Sequence, residues 1–126
     1  MPYICPATIK VIKYIKEKYD ADPEFMWART PGNSIFRHRD NQKWYGVLLT
    51  VSRAALKIQG QGNVEILNLK LDPILIGSLI DNKSFFPAYH MNKEHWISLL
   101  MDGSIKDKDM FALIDISFNT TTKKIK

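Results

Sequence analysis

Polar and apolar residues alternate along this chain with two different periods. In "TIKVIKYIKEKYD" Ile9, Ile12, Ile15 and Tyr19 recur at three- and four-residue steps, with Lys10, Lys13 and Lys16 on the other side. That pattern predicts an amphipathic helix. The stretch from Asp20 to Pro23 ends it, because a residue before proline resists helical geometry. "NSIFRHR" then alternates with period two, "DNQK" is a turn signal, and "WYGVLLTV" predicts a strand. Tyr45, Val47, Leu49 and Val51 are expected on one face of that strand, and Trp44, Leu48 and Thr50 on the other. "AALKIQGQGNVEILNLKL" reads as a hairpin with Gly60 and Gly62 in its connection. Asp72-Pro73 opens a short helix: the carboxylate accepts from free amides, and the proline lacks the donor that would be orphaned there. Its expected buried face is Ile74, Leu75, Leu79 and Ile80. A strand from Glu94 to Met101 follows, closed by Asp102-Gly103. The last helix begins near Asp107, whose charge suits a helix N-terminus, with Met110, Phe111, Ile114 and Phe118 inward. Residues 119–126 are expected to fray.

The order is helix, three or four strands, short helix, strand, helix. Strands joined by hairpins imply an antiparallel sheet, so the expected fold is α+β, a two-layer sandwich with the helices packed on one face. Ile12, Ile15, Phe111 and Ile114 are expected in the layer where the first and last helices lie side by side.

Composition adds little beyond bounds. The 126 residues fit one domain over 1–126, and 45% apolar with 25% charged residues is the balance of an ordered chain. Apolar runs such as Trp96 to Met101 are too short to span a bilayer, so no membrane partner is expected. "MPYICPATIK" lacks the pattern of a secretory signal, and the lone Cys5 leaves no internal disulfide. A cytoplasmic protein is expected.

Charge changes the picture more. The net charge is +5. Between positions 29 and 57, Arg29, Arg37, Arg39, Lys43, Arg53 and Lys57 are opposed by Asp40 alone, so this segment carries the whole excess. A basic segment in an otherwise neutral chain attracts phosphates, although solvated strand faces have the same composition.

"PAYHMNKEHW", residues 87–96, gathers the chemistry-bearing side chains. His90 and His95 are five apart, and His38 lies far off in sequence. Without a third ligand and an oriented second shell such a pair makes a poor metal site, so no metal is expected. Tyr89, His90, Lys93 and His95 could exchange protons, but no serine elbow, phosphate-binding glycine loop or carboxylate pair accompanies them. Asn92 and Lys93 suit phosphates or base edges, and Tyr89 could stack. The plain alternative is a loop whose polar groups tie its own backbone together. His95 is expected to play such a structural part and His90 a mixed one. A candidate pocket is His38, Tyr89, His90, Asn92, Lys93 and His95.

"FFPAYHMNKEHWISLLMDGSIKDKDMFALIDISF" resembles the signature of the MmcQ/YjbR family, and "SIFRHRDNQKWYGVLL" and "ILNLKLDP" extend the likeness from about Ile9 to Phe118. The resemblance implies a single-domain, CyaY-like (frataxin-like) fold and a DNA-binding role through a double-wing arrangement of hairpins. Frataxins have an acidic first helix that attracts iron. Here Lys10, Lys13, Lys16 and Lys18 against Glu17 and Asp20 give that helix the wrong sign for a hard cation. The expectation is a non-enzymatic DNA-binding module without cofactor. Arg37, Arg39 and Lys43 would contact phosphates from the first hairpin, Lys57 from the second and Lys93 from the loop. A protein- or small-molecule-binding module, or an enzyme centred on His90 and His95, remains the alternative use of residues 87–96.

Overall fold

The computed structural model describes residues 3–27, 29–30 and 32–122. Its elements are α1 (Pro6–Tyr19), β1 (Ser34–Arg37), β2 (Trp44–Ser52), a 3-10 turn (Arg53–Leu56), β3 (Asn63–Lys70), α2 (Pro73–Leu79), β4 (Phe85–Pro87), β5 (Trp96–Leu100) and α3 (Asp107–Thr121). The strands form one antiparallel sheet in the order β1-β2-β3-β5-β4. All three helices contribute apolar residues to one core, on one face of that sheet. The α+β sandwich expected from the pattern is the fold observed.

The two long helices lie against each other through aromatic pairs. Tyr14 stacks on Phe111 at 4.1 Å and Tyr19 on Phe118 at 3.7 Å between centroids. The Tyr14 and Tyr19 hydroxyls both donate to the Asp115 carboxylate, and Lys18 Nζ pairs with it at 2.8 Å. Partial burial works to raise the Asp115 pKa, but the bonds from Lys18, Tyr19 and Tyr14 outweigh it and hold the carboxyl below its ordinary value. Ile15 and Ile114 are fully buried, and Ile12 and Phe111 are half-buried beside them. The buried stripe of α1 is turned from the one expected: Ala7, Val11 and Ile15, at four-residue steps, meet the core while Ile9 is exposed. The chain entering α1 is held by Glu65 of β3, whose buried carboxylate accepts from Ile4 N at 2.9 Å and Cys5 N at 3.3 Å.

Strand β2 corrects the alternation expected for it. Arg37 pairs with Trp44 and Phe36 with Gly46, so Tyr45 sits in a β-bulge. Beyond the bulge Val47, Leu49 and Val51 face away from the helices, whereas Tyr45 joins Leu48 and Phe36 on the helix side. The bulge takes the Tyr45 carbonyl out of the ladder, and Ser117 of α3 donates its hydroxyl to it at 2.6 Å. The same Ser117 oxygen accepts from Lys70 N at 2.9 Å.

Four other expectations change. Residues 54–59 are not the first arm of a hairpin; β2 itself pairs with β3 from Ser52↔Asn63 onward. The 3-10 turn between them is capped by Ser52 Oγ, which accepts from Ala55 N, and adjacent alanines have little strand preference. In α2 the expected Asp72 cap is present, but Ile74 is 86% exposed and Ile76 takes its place in the core. Strand β4 was not expected. It is a three-residue edge strand, and Pro87 is tolerated there because an edge needs fewer donors. Asp81 shapes its approach by accepting from Lys83, Ser84 and Phe85 amides, which holds the Asp81 carboxyl down at about 2. Finally, Asn119, Thr120 and Thr121 complete α3 rather than fraying, and residues 123–126 lie outside the described residues.

Ser117→Ala leaves two buried backbone groups without their partner, so it should cost about 1–3 kcal/mol. Ser104→Ala, at an exposed hydroxyl pair, should stay within about 0.5 kcal/mol. Chemical denaturation of both variants checks the difference. Equal midpoints would show that Ser117 does not pin α3 to the bulge.

Candidate functional site

The second face of the sheet is also apolar. Ile35, Val47, Leu49, Val51, Val64, Ile66, Phe86 and Leu100 form a core there, with Leu56 and the half-buried Trp44, Ile58, Tyr89, Met91 and Trp96 packed against it. Connections rather than helices provide much of its cover: the β2–β3 connection supplies Leu56 and Ile58, and the β4–β5 connection supplies Tyr89 and Met91.

The β4–β5 connection is anchored by a buried polar pair. Asn68 of β3 and Ser98 of β5 face each other across the ladder, both fully buried. Ser98 Oγ donates to Asn68 Oδ1 at 2.5 Å, Asn68 Nδ2 donates to Tyr89 O at 3.0 Å, and Tyr89 N donates to Ser98 Oγ at 3.0 Å. This closed triangle fixes the backbone at Tyr89. His90 follows in a left-handed conformation at φ 60, with its ring 4.0 Å from that of Tyr89. Asn92 then closes the turn. Its Oδ1 accepts from Glu94 N at 2.8 Å, and its carbonyl accepts from Trp96 N at 2.9 Å.

Between the two connections lies an open hollow of about 640 Å³, lined by residues 55–57 and 86–93. Lys57, Tyr89, His90, Asn92 and Lys93 all border it, and Leu56, Phe86, Ala88 and Met91 supply its apolar part. Among the described residues no carboxylate lies within ion-pair distance of Lys57 or Lys93. The same residues contain no group of three or more His, Cys, Asp or Glu placed to hold a metal ion.

The remaining candidates lie elsewhere. Arg37 is held bidentately by Glu24, with Nη2 at 2.8 Å and Nε at 3.0 Å from its two oxygens. Arg39 Nη2 donates to Asp20 O at 2.6 Å and lies 3.7 Å from Asp20 Oδ2, and its side chain is otherwise exposed. Lys43 is exposed on the turn after β1. His38 borders a separate hollow with Tyr19, Arg37, Arg39, Tyr45 and Phe118. It is 6% exposed, and its Nε2 lies 3.1 Å from Phe118 O and 2.8 Å from Thr121 Oγ1. A carbonyl only accepts, so Nε2 carries the proton. Burial lowers the His38 pKa below its ordinary value. His95 belongs to neither hollow. It sits in the turn before β5, its side chain half in solvent and its Nε2 3.9 Å from Glu94 Oε2. The structural histidine is therefore His38, not His95, because α3 reaches as far as Thr121. Trp27 and Trp44 were not expected at the site. They border a smaller hollow, about 250 Å³, which shares His90 and Met91 with the larger one.

A small α+β scaffold with two hairpin connections framing a basic hollow is the class these features define. The chain belongs to the YjbR family, whose sequence profile matches residues 16–120. It is 37% identical over 111 residues to the uncharacterized protein YyaQ of Bacillus subtilis, covering 88% of this chain and 94% of that one. It is 35% identical over 57 residues to the uncharacterized protein YjbR of Escherichia coli, covering 44% and 48% of the two chains. A crystal structure of a Pseudomonas syringae protein superposes with a TM-score of 0.87 at 40% identity, over 90% of this chain and 97% of that one. A Deinococcus radiodurans protein with a DUF419 domain shares the fold at a TM-score of 0.71 and 21% identity, covering 98% of this chain and 83% of that one. No described helix is long and apolar enough to cross a membrane.

The His38 assignment has a pH signature. Its folded pKa lies below the unfolded value of about 6.5, so the unfolded chain binds the proton more readily. The stability this contributes is full above about pH 6.5 and is lost as pH falls through the lower folded value. Urea midpoints should therefore drop between about pH 7.5 and 5.5, and His38→Gln should shallow that drop.

Proposed function

We propose that the protein is a non-enzymatic DNA-binding module that grips phosphates with the two hairpin connections flanking the larger hollow. The observation that carries this reading is the convergence of Lys57 and Lys93, from different connections, on one hollow with His90 and Asn92. A phosphate placed there meets two ammonium groups without a described carboxylate competing for them. Such contacts give affinity and orientation but no sequence preference. The weight of the interface shifts from the first hairpin to these loops. Arg37 already has a carboxylate partner and Arg39 a carbonyl one, which leaves Lys43 as an accessory contact at most. Binding rather than catalysis is favoured because, among the described residues, no side chain hydrogen-bonds to His90 or Lys93 to orient either as an acid or base.

A second reading, a small anionic ligand in place of DNA, is favoured by the size of the hollow, which falls within the roughly 300–1,000 Å³ of small-molecule sites. One titration separates the two. DNA affinity should fall with salt on a log–log slope of about −0.9 per phosphate for a duplex and about −0.7 for a single strand. Lys57→Ala with Lys93→Ala should flatten that slope by about one contact per lysine, and Lys43→Ala by less. Absence of binding to any DNA at low salt would remove this reading. Saturable binding of inorganic phosphate or a nucleotide under the same conditions would put the second in its place.

A further inference from the structure

The smaller hollow adjoins the basic one and has a different chemistry. Trp27, Trp44, Val47, Leu49 and Met91 give it apolar walls, and Thr30 and Asn33 are its polar members. Trp27 and Trp44 meet edge to face, with centroids 6.1 Å apart and planes at 83°. Among the described residues no other ring stacks on either indole. Trp27 is 38% exposed, and it ends a run in which Phe25 and Met26 are exposed as well. Of these three, Trp27 borders the hollow, and a large aromatic left partly in solvent beside a charged hollow marks a surface that something covers. Asn33 offers polarity of a suitable kind. Its Oδ1 accepts from Thr50 N, and among the described residues its amide nitrogen has no hydrogen-bond partner, which suits it to donate to a carbonyl.

We infer that the two hollows form one bipartite site, and that its ligand is an unpaired stretch of DNA, with phosphates on Lys57 and Lys93 and a base against Trp27 and Met91. The inference rests on the DNA-binding reading above and narrows it from DNA in general to single strands. Each nucleotide is itself bipartite, an anionic phosphate tethered to a flat aromatic base, and here a basic hollow and an aromatic one share the wall of His90 and Met91. A paired base cannot use the second hollow, because its faces are buried against its neighbours in the duplex. An unpaired base can lie on an indole, and every base has a face to offer, so little sequence preference follows. The Met91 thioether adds a soft, polarisable wall for an aromatic guest. The Tyr89 backbone, fixed by Asn68 and Ser98, holds the shared wall in place.

The test uses the intact protein and three probes: a thymidine strand of about thirty nucleotides, a strand of the same length with abasic sites throughout, and a duplex with the same number of phosphates. Anisotropy titrations at one low salt concentration should show the thymidine strand binding at least about ten-fold more tightly than the abasic strand, and more tightly than the duplex. Trp27→Ala should bring the thymidine strand close to the abasic one while leaving the salt slope unchanged, and Trp27→Phe should retain most of the preference. If the abasic strand binds as well as the thymidine strand, or the duplex binds better, the base-holding half is wrong and the phosphate half survives. If the preference persists in a folded Trp27→Ala variant, this hollow is not the base site. If none of the three probes binds, both this inference and the DNA reading fall. The wild-type comparison of strands decides even if Trp27→Ala melts early.

Discussion

A sheet that is apolar on both faces, with helices for only one, must be covered a second time. Strand β3 shows the constraint most plainly: every residue from Val64 to Leu69 is buried, so neither face of this central strand can meet water. Three helices supply Val11, Ile15, Ile76, Met110 and Ile114 to one side. On the other side the hairpin connections fold back and lay Leu56, Ile58, Tyr89 and Met91 over the strands. A connection used as a cover has an inner surface that is apolar and an outer one that is polar. The odd composition of residues 87–96 follows from this. Ala88, Tyr89 and Met91 face inward, and Asn92 and Lys93 stay exposed at the rim.

Ordering a loop costs about as much backbone entropy per residue as ordering a helix, but the loop brings fewer internal hydrogen bonds to offset it. The Asn68–Ser98 pair offsets that cost locally. Two polar side chains buried inside an apolar face are unfavourable if left without partners. Here they bond each other and then the two backbone groups of Tyr89. Lifting the loop would therefore strip water-excluded polar groups of their partners as well as expose Tyr89 and Met91. The network resists opening more strongly than the apolar contacts alone, and it places the hollow on rigid strands rather than on a wandering loop.

This division also explains what was legible in the chain. Helices α1 and α3, strands β2 and β5 and the Asp72 cap rest on local periodicity or a local hydrogen bond, and each was readable. The bulge at Tyr45 depends on the partner strand and on Ser117, 72 residues away, so alternation alone put Tyr45 on the wrong face. In α2 seven residues give only two turns, too few for periodicity to choose between Ile74 and Ile76. The histidines follow the same rule. Nothing near His38 reveals that the C-terminal turn of α3 will meet it, and the apolar run after His95 suggested a strand from Glu94, whereas β5 begins at Trp96 and leaves His95 in the turn. Lys57, Tyr89, His90, Asn92 and Lys93 were all recognisable as candidates by residue type. Their convergence required the β2–β3 connection to land beside the β4–β5 one, and the aromatic hollow required the stretch before β1, for which the sequence offers no period at all.

Charge shows why sums along a sequence mislead. The basic segment from Arg29 to Lys57 appears uniform, and the first helix appears positive. In three dimensions Lys10 meets Asp107, Lys13 meets Glu17, Lys16 meets Asp20 and Asp22, and Lys18 meets Asp115. Arg37 meets Glu24 in the same way. Exposed pairs of this kind contribute little to stability, because solvent screens them. Their larger effect is on the field. They confine much of the acidic charge to the helix layer and its edge, and they cancel the cations that seemed most abundant. Lys57, the last cation of that segment, and Lys93, outside it, have no described carboxylate within ion-pair distance and share a hollow with partly apolar walls, where a phosphate is attracted more strongly than on an open surface. The face that had to be covered by loops thus also carries a hollow with two lysines on its rim.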